Sequence, residues 1–192
     1  MVRTDTRRGK LVVISAPSGA GKTSIAQAVL ARNPGMRFSV SATTRAMRPN
    51  EIDGKDYFFL TKAEFQRRVE AGEFAEWEEI YGDYYGTLRS EIDRAISAGE
   101  HLIFDVDVRG GLSIKQLYLD TLLIFIRPPS IETLYERLRK RHTEDNVTLA
   151  RRMDRVPMEL ALGNQFDHQV TNDILERAIE EVQALVHNYI TH

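Results

Sequence analysis

The stretch Leu11-Val12-Val13-Ile14-Ser15-Ala16-Pro17-Ser18-Gly19-Ala20-Gly21-Lys22-Thr23 decides the fold of this chain. An apolar segment leads into a glycine-rich turn and then a helix. This is the pattern of a phosphate-binding loop (P-loop), with Ala16 at the usual position of its first glycine. Gly19 and Gly21 let the backbone turn its N–H groups inward around a phosphate, and the helix N-terminus adds a favourable dipole. The sequence therefore predicts a nucleoside triphosphate site after the first strand.

The last two residues of the P-loop carry its charge and metal chemistry. Lys22 would neutralise charge on the terminal phosphates, and the Thr23 hydroxyl is a hard oxygen ligand suited to Mg²⁺. The alternative interpretation is a glycine- and serine-rich turn before a helix with a solvated lysine. The strand–loop–helix context favours the P-loop, because the motif requires that context.

Three short apolar segments predict the central sheet: residues 11–14, 102–106 and 122–126. Each lacks the alternation of a half-exposed strand, and each is followed by a helix-like segment. Strands buried on both faces and separated by helices are typical of a parallel sheet. We therefore predict an α/β fold with helices on both faces of the sheet, and a weaker strand at 169–171.

Capping and stop signals predict the helices between these strands. Thr61 and Glu64 form a capping box, Gly99 ends one helix, and Ser130 begins another. Asn172-Asp173 is predicted to cap the last helix. The predicted helices lie at about 21–32, 61–72, 88–98, 130–139, 148–162 and 172–188.

Residues 38–85 have a different pattern. Short aromatic segments are separated by turn signals at Asp53-Gly54 and Gly82-Asp83. Outside the helix that begins at Thr61, this pattern indicates a small antiparallel sheet inserted between α/β units. The core is thus predicted to carry one β-rich insertion.

Composition excludes several classes of protein. The 192 residues carry 26 basic and 28 acidic side chains, a formal charge of −2, so we expect no nucleic-acid or anionic-membrane partner. The longest apolar run, residues 122–126, is far shorter than the roughly 20 residues of a membrane-spanning helix. We also expect no secretory signal before Lys10. Because the chain has no cysteine, disulfide frameworks and thiolate zinc sites are excluded, and a cytoplasmic location is expected.

Further motifs cover nearly the whole chain from about residue 11 to 188. Besides the P-loop they are Ser41-Ala42-Thr43-Thr44-Arg45-Ala46-Met47-Arg48-Pro49, Asp53-Gly54-Lys55-Asp56-Tyr57-Phe58-Phe59, Glu76-Trp77, Gly82-Asp83-Tyr84-Tyr85-Gly86-Thr87, Asp105-Val106-Asp107, Arg127-Pro128-Pro129-Ser130 and Val170-Thr171-Asn172-Asp173. In order and spacing they closely resemble the nucleotide-binding segments of guanylate kinases, and as a set they are far more specific than a P-loop alone. The resemblance implies transfer of the γ-phosphoryl group of ATP to GMP, giving ADP and GDP.

The same resemblance implies how the chain is divided. A parallel-sheet P-loop kinase core at about residues 9–37, 88–136 and 156–192 would carry a GMP-binding insertion at about 38–87. A basic helical lid would lie at about 137–155. The implied ATP-binding residues are Ser18, Gly19, Ala20, Gly21, Lys22, Thr23, Ser24 and, close to adenine, Asn172.

The GMP phosphate would be held by Arg45, Arg48, Tyr57 and Tyr85, according to the resemblance. Two guanidinium groups suit a dianion, and phenol hydroxyls donate hydrogen bonds without adding charge. Without the resemblance, the arginines would be interpreted as solvated loop residues and the tyrosines as packing residues.

Glu76 would recognise the base by the same resemblance, with Ser41 and Thr87 on the guanine O6 side and Asp107 near the exocyclic amine. Guanine presents two adjacent donors, N1–H and N2–H, which an ionised carboxylate accepts together, whereas adenine presents an acceptor at N1. Leaving a buried polar group unpaired discriminates by several powers of ten. Taken alone, Glu76 would be one of several acids on exposed strand positions.

Asp105 ends a predicted strand, where parallel sheets place ligand-facing residues. It is predicted to lie on the GMP side of the site and to orient Lys22 or a water bound to Mg²⁺, the implied cofactor, while Thr23 binds the metal directly. The alternative is an aspartate that only caps the following turn.

A basic segment, Arg137-Leu138-Arg139-Lys140-Arg141, is followed by Arg152. A solvated charged helix is the usual explanation for such a run. By resemblance, however, Arg137, Arg141 and Arg152 match the lid arginines, which with Lys22 would be the catalytic residues. Arg137 and Arg141 are four residues apart, so on one helix they share a face. The chain departs from the family pattern at His142 and Arg109.

Three other functions are weighed against this one. A catalytically inactive guanylate-kinase-like module would bind a phosphorylated peptide, but it would lose the P-loop that is intact here. A P-loop kinase for another small phosphate ester, such as a ribose phosphate or AMP, is disfavoured by Glu76, Ser41 and Thr87 together. A GTPase switch is disfavoured because the sequence has no Asn-Lys-x-Asp motif.

Overall fold

The centre of the fold is a five-stranded sheet in which every neighbouring pair is parallel. The structure is a computed structural model that describes residues 8–80, 82–140 and 146–192. The predicted parallel sheet is confirmed, and its middle strand is the one that leads into the P-loop. In spatial order the strands are β2 (Met36–Phe38), β7 (His101–Asp105), β1 (Leu11–Ser15), β8 (Thr121–Arg127) and β9 (His168–Thr171).

Buried side chains alternate between the two faces of this sheet, which explains why its strands are apolar throughout. Val12 and Ile14 of β1 pack in one hydrophobic cluster, whereas Leu11 and Val13 pack in another. The first cluster includes helices α1 (Lys22–Arg32) and α7 (Leu175–Thr191), and the second includes α3 (Arg89–Ser97) and α4 (Val108–Leu117).

The other helices begin largely as their capping signals predict. They are α2 (Lys62–Glu70), α5 (Ile131–Lys140) and α6 (Asn146–Gly163). The Thr61 side chain accepts the N–H of Glu64 at the start of α2. The predicted cap of α7 is wrong: Ile174 is the N-cap residue, because the Asn172 side chain bonds to the P-loop instead. Among the described residues, no helix is both long and apolar enough to cross a membrane.

Strand β2 was not predicted from the sequence, and the helix-like segment expected after the strand at 102–106, which is α4, was given no bounds. Helix α4 contains Gly110 and Gly111, which disfavour a helix in isolation. Both glycines lie where neighbouring elements approach closely: a Cβ at Gly111 would lie 2.9 Å from the Val13 side chain, and one at Gly110 would lie 3.0 Å from Glu76 Oε2. Tertiary packing therefore overrides the local preference and brings α4 against the insertion.

The insertion contains a second sheet with its own small core. In order its strands are β4 (Phe58–Phe59), β3 (Ala42–Thr43), β6 (Asp83–Leu88) and β5 (Phe74–Ile80). The pairs β3–β6 and β5–β6 are antiparallel as predicted, but β3 and β4 are parallel, so the sheet is mixed. Phe65 of α2 stacks on Phe74 and Tyr84 and fixes the helix to this sheet.

Candidate active site

The P-loop joins β1 to α1 and requires glycine at two positions. Gly19 and Gly21 have φ values of 88° and 95°, in the left-handed region that L side chains rarely adopt. A Cβ at Gly21 would also collide with the Asn172 amide. At position 16 the methyl group of the alanine is buried in the hydrophobic core, so this departure from the usual glycine is accommodated by packing.

Asp105 connects the end of β7 to the P-loop. Its Oδ1 lies 2.5 Å from the Lys22 ammonium, and its Oδ2 accepts a 3.1 Å hydrogen bond from the Thr23 hydroxyl. Lys22 also donates to the backbone carbonyl of Val106. The three predicted side chains therefore lie together, and one carboxylate positions both the cation and the hydroxyl.

Two predicted lid arginines contact the P-loop and the segment after β9. Arg152 donates to Ser18 Oγ at 2.7 Å, and Arg137 donates to the backbone carbonyl of Asn172 at 3.0 Å. The Asn172 amide in turn donates to the carbonyl of Ala20, on the P-loop. A cavity beside this contact is lined by Gly19, Gly21, Ser24, Arg137, Asn172, Asp173 and Leu175.

The part of the chain that the structure describes shows no contact between the P-loop and the third predicted lid arginine or the two departures from the family pattern. Arg141 and His142 lie outside the described residues, so their predicted roles in the lid have no structural description. Arg109 is exposed on α4, two residues after Asp107. It lines a cavity that also contains Glu76 and Arg155.

The predicted phosphate-binding side chains of the insertion are organised by Glu51, which sequence reasoning missed. Arg45 donates to both Glu51 oxygens, at 2.7 and 3.0 Å, and lies over the Tyr57 ring at 5.3 Å. Hydrogen bonds from Arg45 and from the Arg48 backbone lower the pKa of Glu51 to about 2. The Arg48 side chain is exposed, and Tyr85 lies edge-on to Tyr57. The sequence signal that could have identified Glu51 is an acidic residue three positions after Arg48.

Glu76 is a nearly buried carboxylate on β5. The Thr87 hydroxyl donates to its Oε1 at 2.6 Å. Desolvation by burial raises the pKa of Glu76 to about 7, the hydrogen bond from Thr87 opposes that rise, and the charge of Asp107 adds to it. Asp107 is the N-cap of α4, and its Oδ1 accepts the N–H of Gly110 at 2.7 Å. The two carboxylates predicted to contact guanine therefore lie on facing elements.

A single cavity contains predicted residues from both sides of the site. It has a volume of about 260 Å³ and is bounded by the P-loop, strands β5 and β6, and the end of β7 with the segment after it. A second cavity of about 280 Å³ follows the P-loop from Ala16 to Ser24. The first is lined by Lys22, Ser41, Tyr57, Glu76, Glu78, Ile80, Tyr85, Gly86, Asp105, Val106 and Asp107.

A P-loop lysine that shares a cavity with a largely buried carboxylate and two tyrosines is the arrangement expected of a kinase of nucleoside monophosphates. The family model described as guanylate kinase matches residues 8–189 of the chain. The chain belongs to the guanylate kinase family. It is an ATP:GMP phosphotransferase, as the sequence predicts.

Individual relatives agree with this assignment. The chain is 47% identical over 183 residues to a guanylate kinase of Chlorobium chlorochromatii, covering 95% of this chain and 96% of the relative. It is 48% identical over 179 residues to that of Thermotoga maritima, covering 93% and 86%. The crystal structure of the guanylate kinase from Anaplasma phagocytophilum has a TM-score of 0.72 at 27% identity, covering 97% of this chain and 88% of that one.

Proposed function

We propose that the P-loop binds the phosphates of ATP and that the β-rich insertion binds GMP, so that the phosphoryl group crosses the cavity between them. The observation that carries this proposal is the cavity lined by both Lys22 and Glu76. Tyr57 and Tyr85 line the same cavity, and Arg45 lies beside Tyr57. A GMP phosphate held by these groups faces the Lys22 ammonium.

The chemistry requires positioning and charge stabilisation rather than a base. The acceptor is an oxygen of the GMP phosphate, which is already ionised, so no proton has to be removed from it before attack. The transferring group spreads negative charge over its oxygens, and fixed cations stabilise that charge. In this proposal Lys22, Arg137, Arg141 and Arg152 supply the cations, while Arg45 and Arg48 orient the acceptor.

Mg²⁺ is the cofactor in this proposal. The Thr23 hydroxyl and the Asp105 carboxylate are 3.1 Å apart and are hard oxygen donors of the type that Mg²⁺ uses together with substrate phosphates. The donor chemistry therefore fits. Thr23 would bind the ion directly and Asp105 through a water, and the ion would neutralise charge on the ATP phosphates.

Guanine recognition is assigned to Glu76, Ser41, Thr87 and Asp107. In its ionised form Glu76 accepts N1–H and N2–H of guanine, and Thr87 holds the carboxylate in place.

Residues 38–87 would then act as the GMP-binding insertion and residues 137–155 as the lid, with Asn172 beside adenine. Nucleic acid and membranes are not partners in this proposal, and the cytoplasmic location stays a prediction from the composition.

A coupled assay tests the proposal. The purified chain is given ATP and Mg²⁺ with GMP, AMP, CMP or UMP in turn, and ADP formation is followed with a reporter enzyme pair. We expect turnover with GMP to exceed turnover with AMP by at least about a hundredfold, since the carboxylate meets the N1 acceptor of adenine. Equal turnover with AMP would contradict the assignment of the insertion as a guanine site.

A further inference from the structure

One arginine outside the predicted site contacts a cluster of carboxylates between α6 and the insertion. Because α6 begins within the predicted lid, it is called the lid helix below. Arg155, on α6, lies 3.1 Å from Asp107 Oδ2, 3.6 Å from Glu159 Oε1 and 3.9 Å from Glu78 Oε2. These acids come from the start of α4, from α6 itself and from β5. A single guanidinium thus joins three elements beside the pocket assigned to guanine.

The cluster is anionic and partly removed from water. The Glu159 side chain is 9% exposed and that of Asp107 is 21% exposed. Desolvation by burial raises the pKa of both Glu78 and Glu159, and in each case the charge of Arg155 opposes the rise. Carboxylates that face one another in such a setting need a cation nearby, because their mutual repulsion is poorly screened.

The position of Arg155 also links the two nucleotide sites. Arg152 and Arg155 are three residues apart on α6, so their side chains leave the helix on neighbouring positions. Arg152 donates to Ser18 of the P-loop, whereas Arg155 donates to Asp107. The same helix therefore contacts the ATP loop through one arginine and a guanine-facing carboxylate through the other.

We propose that Arg155 is a positioning residue that holds Asp107 and Glu78 in the arrangement required for GMP and ties the lid helix to the guanine-binding sheet. The inference rests on the proposed function, since it takes the pocket beside Glu76 as the guanine site. Asp107 is fixed from two directions: the Gly110 N–H bonds to its Oδ1, and Arg155 bonds to its Oδ2. Without Arg155 this carboxylate loses one anchor, and Glu78 loses one of the two cations, Arg155 and Lys22, whose charge lowers its pKa.

Steady-state kinetics on the full chain test the inference. Arg155→Met keeps the length and apolar stem of the side chain but removes its charge and its fork of donors. We expect KM for GMP to rise roughly tenfold, because Asp107 and Glu78 line the cavity that contains Glu76. Arg155 and both acids also border the cavity along the P-loop, but the backbone turn and Lys22 are untouched, so kcat and KM for ATP should stay within about twofold of the parent chain. Arg155→Lys should give an intermediate KM for GMP, because it keeps the charge without the fork.

A charge-rescue variant separates this role from a structural one. Adding Glu78→Gln to Arg155→Met removes one of the uncompensated charges, so KM for GMP should fall back at least threefold relative to Arg155→Met alone. The matched control is Arg32→Met, which breaks an exposed pair with Glu180 at the far end of α1 and should leave the kinetics unchanged. Thermal unfolding midpoints of all the variants show whether they are folded.

The outcomes distinguish the inference from the proposed function. An unchanged KM for GMP in a folded Arg155→Met variant would overturn the inference and leave the proposed function intact. A loss of stability without the rescue by Glu78→Gln would also overturn it, because the arginine would then be only structural. A parent chain that does not phosphorylate GMP would instead overturn the proposed function.

Discussion

The P-loop and the pocket of the insertion, the two phosphate sites of the proposed function, are built differently. The P-loop relies on backbone N–H groups and on a strand-to-helix turn that the central sheet imposes. In the insertion, two of the proposed binding side chains are held by other side chains: Arg45 by Glu51, and Glu76 by Thr87. The first site is thus specified mainly by its backbone turn, with Asp105 holding Lys22 and Thr23, whereas the second has no such turn and depends on individual side-chain pairs.

This difference has an energetic consequence. A backbone cradle costs little to maintain, because its N–H groups are oriented by the turn itself. A buried carboxylate such as Glu76 is desolvated in the folded chain, and its pKa of about 7 expresses that cost. We infer that substitutions in the P-loop abolish the reaction, whereas substitutions in the insertion change which nucleotide is used and at what concentration.

The largest effect is expected at Lys22. Lys22→Met keeps the length of the side chain and removes the charge next to the ATP phosphates, so kcat should fall by about a thousandfold or more. Equilibrium binding of GMP should change less than threefold, because the proposed function assigns GMP to the insertion. Stopped assays of GDP formation and titration with GMP measure the two quantities. Lys62→Met, on the exposed face of α2, is the control.

If Lys22→Met weakened GMP binding as strongly as it lowered kcat, the separation between the two sites would be wrong. The cavity that contains both Lys22 and Glu76 would then act as one binding site. This result would contradict the distinction between the P-loop and the insertion as two separately built sites.

The same contrast explains how much the sequence could predict. The strands at residues 11–14, 102–106 and 122–126 and the P-loop follow from local pattern alone, because burial on both faces and a glycine turn are written directly into the sequence. The bounds of helix α4 do not follow, since Gly110 and Gly111 are there for close packing against β5 and β1. Local propensity cannot report a contact between distant segments.

The partners of the site side chains escaped prediction for a related reason. Glu51 and Arg155 belong to no motif that by itself indicates a ligand, and each acts on a residue that does. The Arg45–Glu51 pair spans six residues within a loop, while Arg155 and Asp107 are 48 residues apart. Only the folded arrangement of α6, α4 and β5 brings the second pair together.

The next largest effect is expected at Glu76, in nucleotide preference rather than rate. Glu76→Gln replaces a double acceptor by an amide that donates one hydrogen bond, so guanine loses one partner and adenine N1 gains one. We expect the ratio of kcat/KM for GMP to that for AMP to fall by about a hundredfold. Glu79→Gln, on an exposed position of the same strand, should keep the ratio of the parent chain. A ratio that is fully retained in Glu76→Gln would remove Glu76 as the group that reads the base.

The protonation of Glu76 gives a smaller, pH-dependent effect. Burial, with a contribution from Asp107, raises the pKa of Glu76 to about 7, so below that pH the empty site holds a neutral acid. A neutral acid cannot accept both guanine donors, and KM for GMP should therefore rise as the pH falls, by about tenfold between pH 8 and pH 6. The GMP phosphate itself titrates near pH 6. Glu76→Gln reports that contribution alone, and an equal pH dependence in this variant would contradict the assignment.

The smallest effect is expected at Glu51, and it tests whether a residue that touches only the binding arginines matters. Glu51 accepts two N–H groups of Arg45 and one from the Arg48 backbone. Because a guanidinium has five N–H donors, Arg45 can keep its hydrogen bonds to Glu51 and still donate to a phosphate.

Glu51→Gln removes the charge that aligns Arg45, so KM for GMP should rise about three- to fivefold with kcat nearly unchanged. Glu70→Gln at the exposed end of α2 is the matched control. A fall in KM for GMP would mean that Glu51 competes with the phosphate for Arg45, and the insertion would then be an internally blocked site rather than a preorganised one.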